Sequence, residues 1–170
     1  EGRVDVVLHL AWSVVPAEAE KNPEIQWRED LPLLKNLLEQ MARKKKSSSE
    51  NNHFIFFSSG SVYGEQDKSG QLFMEGDRLK PKGLYARAKE AAETMILDQA
   101  RKGLRAAILR VTNPYGFPQK GERSQGVIPA ICYAAQQKKP FTMWGDGAAM
   151  KDYLYMEDLC TGVEAVIRAK

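Results

Sequence analysis

Two kinds of side chain are scarce in this sequence, and one kind of segment is missing. The 170 residues hold only two cysteines and two histidines. Cys132, Cys160, His9 and His53 lie far apart, so neither a disulfide framework nor a Cys/His metal site is expected. Each cysteine falls inside an apolar helical pattern and is expected to be buried. No apolar run approaches the roughly 20 residues that a membrane-spanning helix needs. The start reads straight from Glu1-Gly2-Arg3 into a β-like run without a cleavage-site pattern, which makes a cytoplasmic location the default expectation. Charge of either sign is also in short surplus: the net is +3. The one basic cluster, Arg43 to Lys46, sits where a helix should end and complements the helix dipole, and no interleaved aromatics offer a stacking platform for bases. Nucleic acid and membrane are therefore not expected partners.

What is present is a globular composition, 43% apolar and 28% charged, in a chain long enough to bury a sizeable core. Val4 to Leu10 is a valine-rich run suited to a strand buried on both faces of a parallel sheet. A helix is predicted from about Pro23 to Lys46, with Leu31, Leu34, Leu38 and Met41 as its stripe, Leu37 widening it, and a kink or fresh start near Asp30 to Pro32. His53 to Ser58 reads as a second buried strand that ends in Ser59-Gly60-Ser61. A long loop follows from Val62 to Gly83, and loops of that length in compact domains are usually functional. The next helix runs to about Lys102, with Leu84, Ala88, Ala91 and Met95 buried and Gly103 as C-cap. Leu104 to Val111 is a third strand, and the strand–helix alternation predicts an α/β fold with a parallel sheet. Beyond Asn113-Pro114-Tyr115-Gly116 come a polar loop over 117–126, a helix from Val127 to Gln137, short strands at Phe141–Met143 and Asp152–Tyr155, and a last helix carrying Leu159, Val163, Val166 and Ile167.

Tyr85 and Lys89 stand four residues apart at the start of the central helix, on one face and a turn from each other. A lysine ammonium beside a phenol favours the phenolate, so this pair can act as a general acid/base. On its own, the spacing is equally that of a surface lysine over a half-buried tyrosine.

Five separated stretches settle into one pattern. They are Val7-Leu8-His9-Leu10-Ala11; Phe57-Ser58-Ser59-Gly60-Ser61-Val62-Tyr63-Gly64; Tyr85 with Lys89; Leu109 to Gly116; and Trp144-Gly145-Asp146-Gly147 through Lys151-Asp152-Tyr153 to Asp158-Leu159. In that order and spacing the chain resembles the extended short-chain dehydrogenase/reductases, the NAD-dependent epimerase/dehydratase family, and is most similar to nucleotide-sugar epimerases of the UDP-glucose 4-epimerase kind. The resemblance implies a Rossmann-like, doubly wound core of which this chain holds the C-terminal half. Residues 1–115 would belong to the NAD-binding domain and 116–170 to the start of a small α/β substrate-binding lobe, with the 157–169 helix packing back on the core. The sequence contains no G-x-x-G-x-x-G turn for a dinucleotide pyrophosphate. By the family's pattern the chain covers about the middle half of an enzyme and is not expected to be competent alone.

The same resemblance implies the roles. Tyr85 exchanges a proton with the sugar hydroxyl while NAD carries the hydride; Lys89 binds the nicotinamide ribose and lowers the pKa of Tyr85; Ser59 bonds the reacting oxygen. For Ser59 a turn-capping role is the competing reading, with Ser58 and Ser61 as rivals. Leu10, Ala11 and Ser58 join Tyr85 and Lys89 in lining the cofactor. Asn113, Val127, Trp144 and Lys151 join Ser59 on the nucleotide sugar. Asn113 is alternatively a turn residue, and Trp144 alternatively a core anchor. Lys151 replaces the usual arginine and lacks its bidentate fork. The Gly60-Ser61 pair, where dehydratases carry acidic residues, disfavours elimination. Asp30 and Leu33 depart from the family's asparagine and small residue, which with Pro32 puts the usual packing of that helix in question. A reductase or dehydrogenase on a nucleotide sugar uses the same residues, a non-catalytic remnant acting as an interaction module is the further alternative, and the resemblance admits a homodimer.

Overall fold

The computed structural model describes residues 4–47, 52–65, 72–117, 119, 126–143, 145–148 and 150–169. The chain divides into two compact units, Glu1–Arg110 and Val111–Lys170.

In the first unit, three strands, β1 (Val6–His9), β2 (His53–Ser59) and β3 (Arg105–Val111), form a sheet in the order β1-β2-β3. β1 and β2 run parallel, from Val6 opposite His53 to His9 opposite Phe56. β2 is the strand buried on both faces: Phe54, Ile55 and Phe56 are fully enclosed in succession, as a two-sided apolar run requires. β1 departs from that expectation. It is an edge strand among the described residues, and Leu8 and Leu10 are 41% and 62% exposed.

Helix α1 (Pro16–Ala19) is a single turn that the apolar periodicity did not announce, because four residues carry no period. A π-turn over Gln26–Asp30 then runs into α2 (Leu31–Ser47). The Leu31 N–H reaches back five residues to the Gln26 carbonyl. This added residue accommodates Pro32, which has no N–H to give and whose ring would crowd a regular α-turn. The break expected near Asp30 to Pro32 is therefore a widened turn. Leu31, Leu34, Leu38 and Met41 face inward and pack with Phe54, Phe56, Ala92, Ile96 and Leu104 in one core, with Leu37 at its margin.

Helix α3 spans Gly83–Arg101. Its buried side is rotated from the expected stripe: Ala86, Ala88, Lys89, Ala92, Glu93 and Ile96 are enclosed, whereas Leu84, Ala91 and Met95 are half-buried. Two charged residues displace the apolar ones because each has partners inside. The helix stops in a Schellman motif, with the Leu104 N–H on the Gln99 carbonyl at 3.0 Å and the Gly103 N–H on Ala100 at 2.8 Å. Gly103 takes φ +98°, which a residue with Cβ resists.

In the second unit β4 (Pro114–Tyr115) pairs in parallel with β5 (Leu154–Tyr155), and α4 (Val127–Gln136) and α5 (Met156–Arg168) complete it. α5 packs on β4 and β5. Residues 141–143 adopt no regular structure, so the expected strand there is absent; three residues flanked by Pro140 and a glycine turn find no partner among the described residues. Cys132 and Cys160 are exposed and free, against the expectation of burial: on α4 and α5 they project to solvent, while their neighbours Tyr133 and Leu159 are the half-buried ones. Residues 66–71 of the first long loop, and 118 and 120–125 of the second, lie outside the described residues.

Candidate active site

The site is built where β2 ends and α3 begins. Lys89 is 4% exposed although it carries an ammonium. Its Nζ donates to the Phe57 carbonyl at 2.9 Å, lies 3.8 Å from the centre of the Trp12 ring and 4.7 Å from that of Phe56, and is 5.7 Å from that of Tyr85. Aromatic faces attract the cation, and a carbonyl takes one of its protons. Burial still dominates and lowers its pKa to about 8, while the carboxylates of Asp30 and Glu93 act the other way. Lys89 is thus held near the middle of its titration at mildly alkaline pH.

Tyr85 is half-buried on the same face of α3. Burial, aided by the negative field of Asp30, raises its pKa above the usual value for a phenol. The lowering expected from a neighbouring ammonium is not what this arrangement gives, because burial and the charge of Asp30 set the direction. Asp30 explains the rest. Its carboxylate is buried and accepts the Ser13 N–H at 3.0 and 3.3 Å and the Ser13 hydroxyl at 2.7 Å, which ties the segment after β1 to the start of α2. The asparagine-to-aspartate departure therefore adds a fixed negative charge facing both Tyr85 and Lys89.

Ser59 closes β2, and its Oγ lies 3.2 Å from the Ser61 N–H and 3.0 Å from the Ser61 hydroxyl, capping the 3-10 turn of Gly60–Tyr63. Ser58 turns the other way: it is 5% exposed and donates to Glu93 Oε1 at 2.5 Å. Leu10 and Ala11 follow β1 and are exposed. These residues, with Tyr85 and Lys89, belong to the first unit.

The remaining sequence-predicted residues lie in the second unit. Asn113 is exposed and donates from Nδ2 to the Asp152 carbonyl at 2.8 Å, beside Thr112, whose hydroxyl bonds the Asp152 carboxylate at 2.8 Å. Val127 opens α4, whose first N–H groups have no side-chain cap. Lys151 is exposed. Trp144 lies outside the described residues.

Several contributors were not assigned from sequence. Trp12 forms the platform for Lys89, and Asp30 supplies the field. Glu93 and Arg110 form a bidentate pair, with Arg110 Nη2 on Oε2 at 2.8 Å and Nε at 3.1 and 3.2 Å from the two oxygens; Arg110 Nη1 continues to Tyr63 Oη at 2.8 Å. This partnership holds the guanidinium pKa well above its ordinary value. The readable signal was Glu93, one turn beyond Lys89 on a face it shares with Ala86, Ala92 and Ile96, and Arg110, a charge inside the apolar run of β3. Among the described residues no three His, Cys, Asp or Glu side chains cluster to hold a metal, and no helix is long and apolar enough to cross a membrane.

The model of the NAD dependent epimerase/dehydratase family matches residues 1–170. The chain belongs to that family. A dTDP-4-dehydro-6-deoxyglucose reductase of Escherichia coli is 32% identical over 161 residues, 92% of this chain and 48% of the reductase. A UDP-glucose 4-epimerase of Neisseria meningitidis serogroup C is 29% identical over an alignment that takes in 100% of this chain and 53% of that protein. The fold matches that of a Thermus thermophilus UDP-glucose 4-epimerase in complex with NAD, with a TM-score of 0.86 at 24% identity, over 99% of this chain and 54% of that one. The chain thus spans about half the length of the curated relatives it matches, and its fold is the α/β, Rossmann-like one expected.

Proposed function

We propose that this chain carries the proton-transfer half of an NAD-dependent nucleotide-sugar 4-epimerase. The reading rests on one observation above all: Tyr85 and Lys89 share a face of α3, Lys89 is fastened by its ammonium to the Phe57 carbonyl near the end of β2, and Ser59 is the last residue of that strand. NAD, when bound, supplies the site that takes up and returns the hydride. The residues here fit its nicotinamide-ribose end, since a buried ammonium retains N–H donors for a diol beyond the one given to Phe57. Lys89 binds and orients there. Tyr85 takes the proton from the sugar hydroxyl as the ring carbon becomes a ketone, and gives it back to the ketone oxygen on the return. At neutral pH its raised pKa keeps it protonated, which suits the giving step; for the taking step the phenolate must be favoured by positive charge that offsets Asp30. Ser59 hydrogen-bonds the reacting oxygen and fixes its distance from Tyr85. Asn113, Val127, Trp144 and Lys151 are assigned to the sugar nucleotide and Leu10, Ala11 and Ser58 to the cofactor, Ser58 through its backbone because its hydroxyl is committed to Glu93. Cytoplasmic location and a homodimer are part of the same reading.

The experiment uses the full translated product that contains this chain, assayed for interconversion of UDP-glucose and UDP-galactose. Tyr85→Phe should reduce turnover by about a thousandfold or more, as for loss of a general acid/base. Epimerisation at the wild-type rate would remove Tyr85 from the mechanism. The 32% identity to a reductase favours one second reading, nucleotide-sugar reduction with the same residues. A net change in nicotinamide absorbance that keeps pace with turnover selects the reductase; a flat trace with product formed selects the epimerase.

A further inference from the structure

Two motif residues and one helix residue are left without a role by the proton-transfer scheme, and the structure joins all three. Glu93 is one turn beyond Lys89 on α3 and is 1% exposed. Its carboxylate receives Ser58 Oγ–H at 2.5 Å and the guanidinium of Arg110 from β3. The far side of that guanidinium bonds the Tyr63 hydroxyl at 2.8 Å and the Glu75 carbonyl at 3.0 Å, and its carbon lies 4.9 Å from the centre of the Tyr63 ring. Tyr63 in turn stacks on Phe73, with centroids 5.1 Å apart. Lys89 already holds Phe57 through its carbonyl.

Phe57 and Ser58, consecutive at the end of β2, are thus fastened to consecutive turns of α3. Tyr63, at the far end of the 3-10 turn, is fastened through Arg110 to the same carboxylate. Ser59 is the residue between the fastenings, and its hydroxyl bonds to Ser61 inside the turn. We propose that Glu93 and Arg110 are positioning residues for the reaction, clamping the 58–63 segment so that Ser59 is held in register with Tyr85 on α3. The inference rests on the reading of Tyr85 and Ser59 given above. Stability alone does not call for such a pair, since apolar side chains of similar volume often serve a core as well or better. A forked guanidinium on a carboxylate supplies direction, which is what a register requires.

Three variants of the full translated product test this: Tyr63→Phe, Arg110→Met and Arg110→Lys, with kcat and KM normalised to folded protein, and amide hydrogen exchange followed along the chain. Tyr63→Phe removes a single acceptor and should lower kcat about three- to tenfold with KM within about twofold. Arg110→Met should lower kcat by about a hundredfold, the cost of roughly 1 Å of misplacement. Arg110→Lys should fall between them, since it keeps the charge and loses the fork. In Arg110→Met the Ser61 and Gly64 amides should exchange at least about tenfold faster while the middle of α3 changes little, a local opening. The proposal is overturned if kcat per folded molecule stays within about twofold of wild type in either Tyr63→Phe or Arg110→Met, or if faster exchange spreads evenly through α3 and the core. Should Arg110→Met not fold, Tyr63→Phe decides by the same criteria. Tyr85→Phe is run in parallel. If it is active, the reading of the site fails; if it is inactive while Tyr63→Phe is unchanged, only the positioning role fails.

Discussion

The two units are built to different standards of enclosure. Every buried side chain among the described residues, apolar or charged, lies in the first unit; within the second, α4 and α5 hold none. Lys89, Glu93 and Asp30 are enclosed with their partners in place, whereas Asn113 and Thr112 are held to Asp152 by hydrogen bonds in exposed surroundings. Groups that move a proton gain from low dielectric and fixed geometry, because a small displacement costs heavily in rate. Groups that meet a polar ligand can be arranged at the surface and adjust as it arrives. Under the proposed function, the contrast between core-held and surface-held residues matches a contrast between two chemical tasks.

The sharpest way to break this comparison is to cut into each unit in turn. Phe56→Ala removes a fully buried ring beside Lys89 and should destabilise the protein by about 3–5 kcal/mol, while Val163→Ala on α5 should cost less than about 1 kcal/mol. Chemical denaturation reads both, and similar losses would erase the distinction. Next in size is a pH effect. The folded pKa of Lys89 is about 8, below its unfolded value of 10.5, so between these pH values the unfolded chain binds the proton that the folded one has released. Stability from this group therefore rises with pH, by about 2 kcal/mol from pH 8 to 10. Lys89→Met should flatten that rise and stabilise the protein at neutral pH while abolishing turnover. Above about pH 10 the raised pKa of Tyr85 opposes the trend, since the unfolded chain then loses its phenolic proton first.

A smaller effect is expected at the start of α3. Glu20 accepts the Leu84 N–H at 3.0 Å, capping the helix one residue before Tyr85. Glu20→Ala should lower stability by about 1 kcal/mol, seen as a drop in melting temperature. Smallest is the acid limb. His9 and His53 are both shifted down, mainly by burial, so as pH falls below about 6.5 the unfolded chain takes up protons first and stability declines. Replacing both by glutamine should make the curve flatter there.

The sheet and its two covering helices were legible because the chain there obeys simple periods. The run from Phe54 to Phe56 has no polar interruption, and Leu31, Leu34, Leu38 and Met41 recur at helical spacing. Legibility failed where a charged group was buried with a partner that lies far along the chain. Glu93 and Lys89 rotate the buried face of α3 away from its apolar stripe, and only the arrival of Arg110, Asp30 and Phe57 makes that rotation stable. It failed again at β1, whose valines promised two covered faces, and at 141–143, where three residues are too few to commit to a strand without a neighbour. Of the candidate site, the face shared by Tyr85 and Lys89 was legible, but the field acting on it was not. Asp30 reads as a packing departure in sequence and as an electrostatic one in space.

The perch of Lys89 on Trp12 gives the protein an optical gauge of its own charge state. An indole 3.8 Å from an ammonium feels a strong local field, and that field vanishes when the proton leaves. With Trp27 and Trp144 replaced by phenylalanine, the emission maximum of Trp12 should therefore shift along a titration curve centred near pH 8, with no dye and no turnover needed. Anything that settles against the ammonium and holds its proton would move the curve to higher pH, so occupancy at this spot becomes a colour change in a tryptophan.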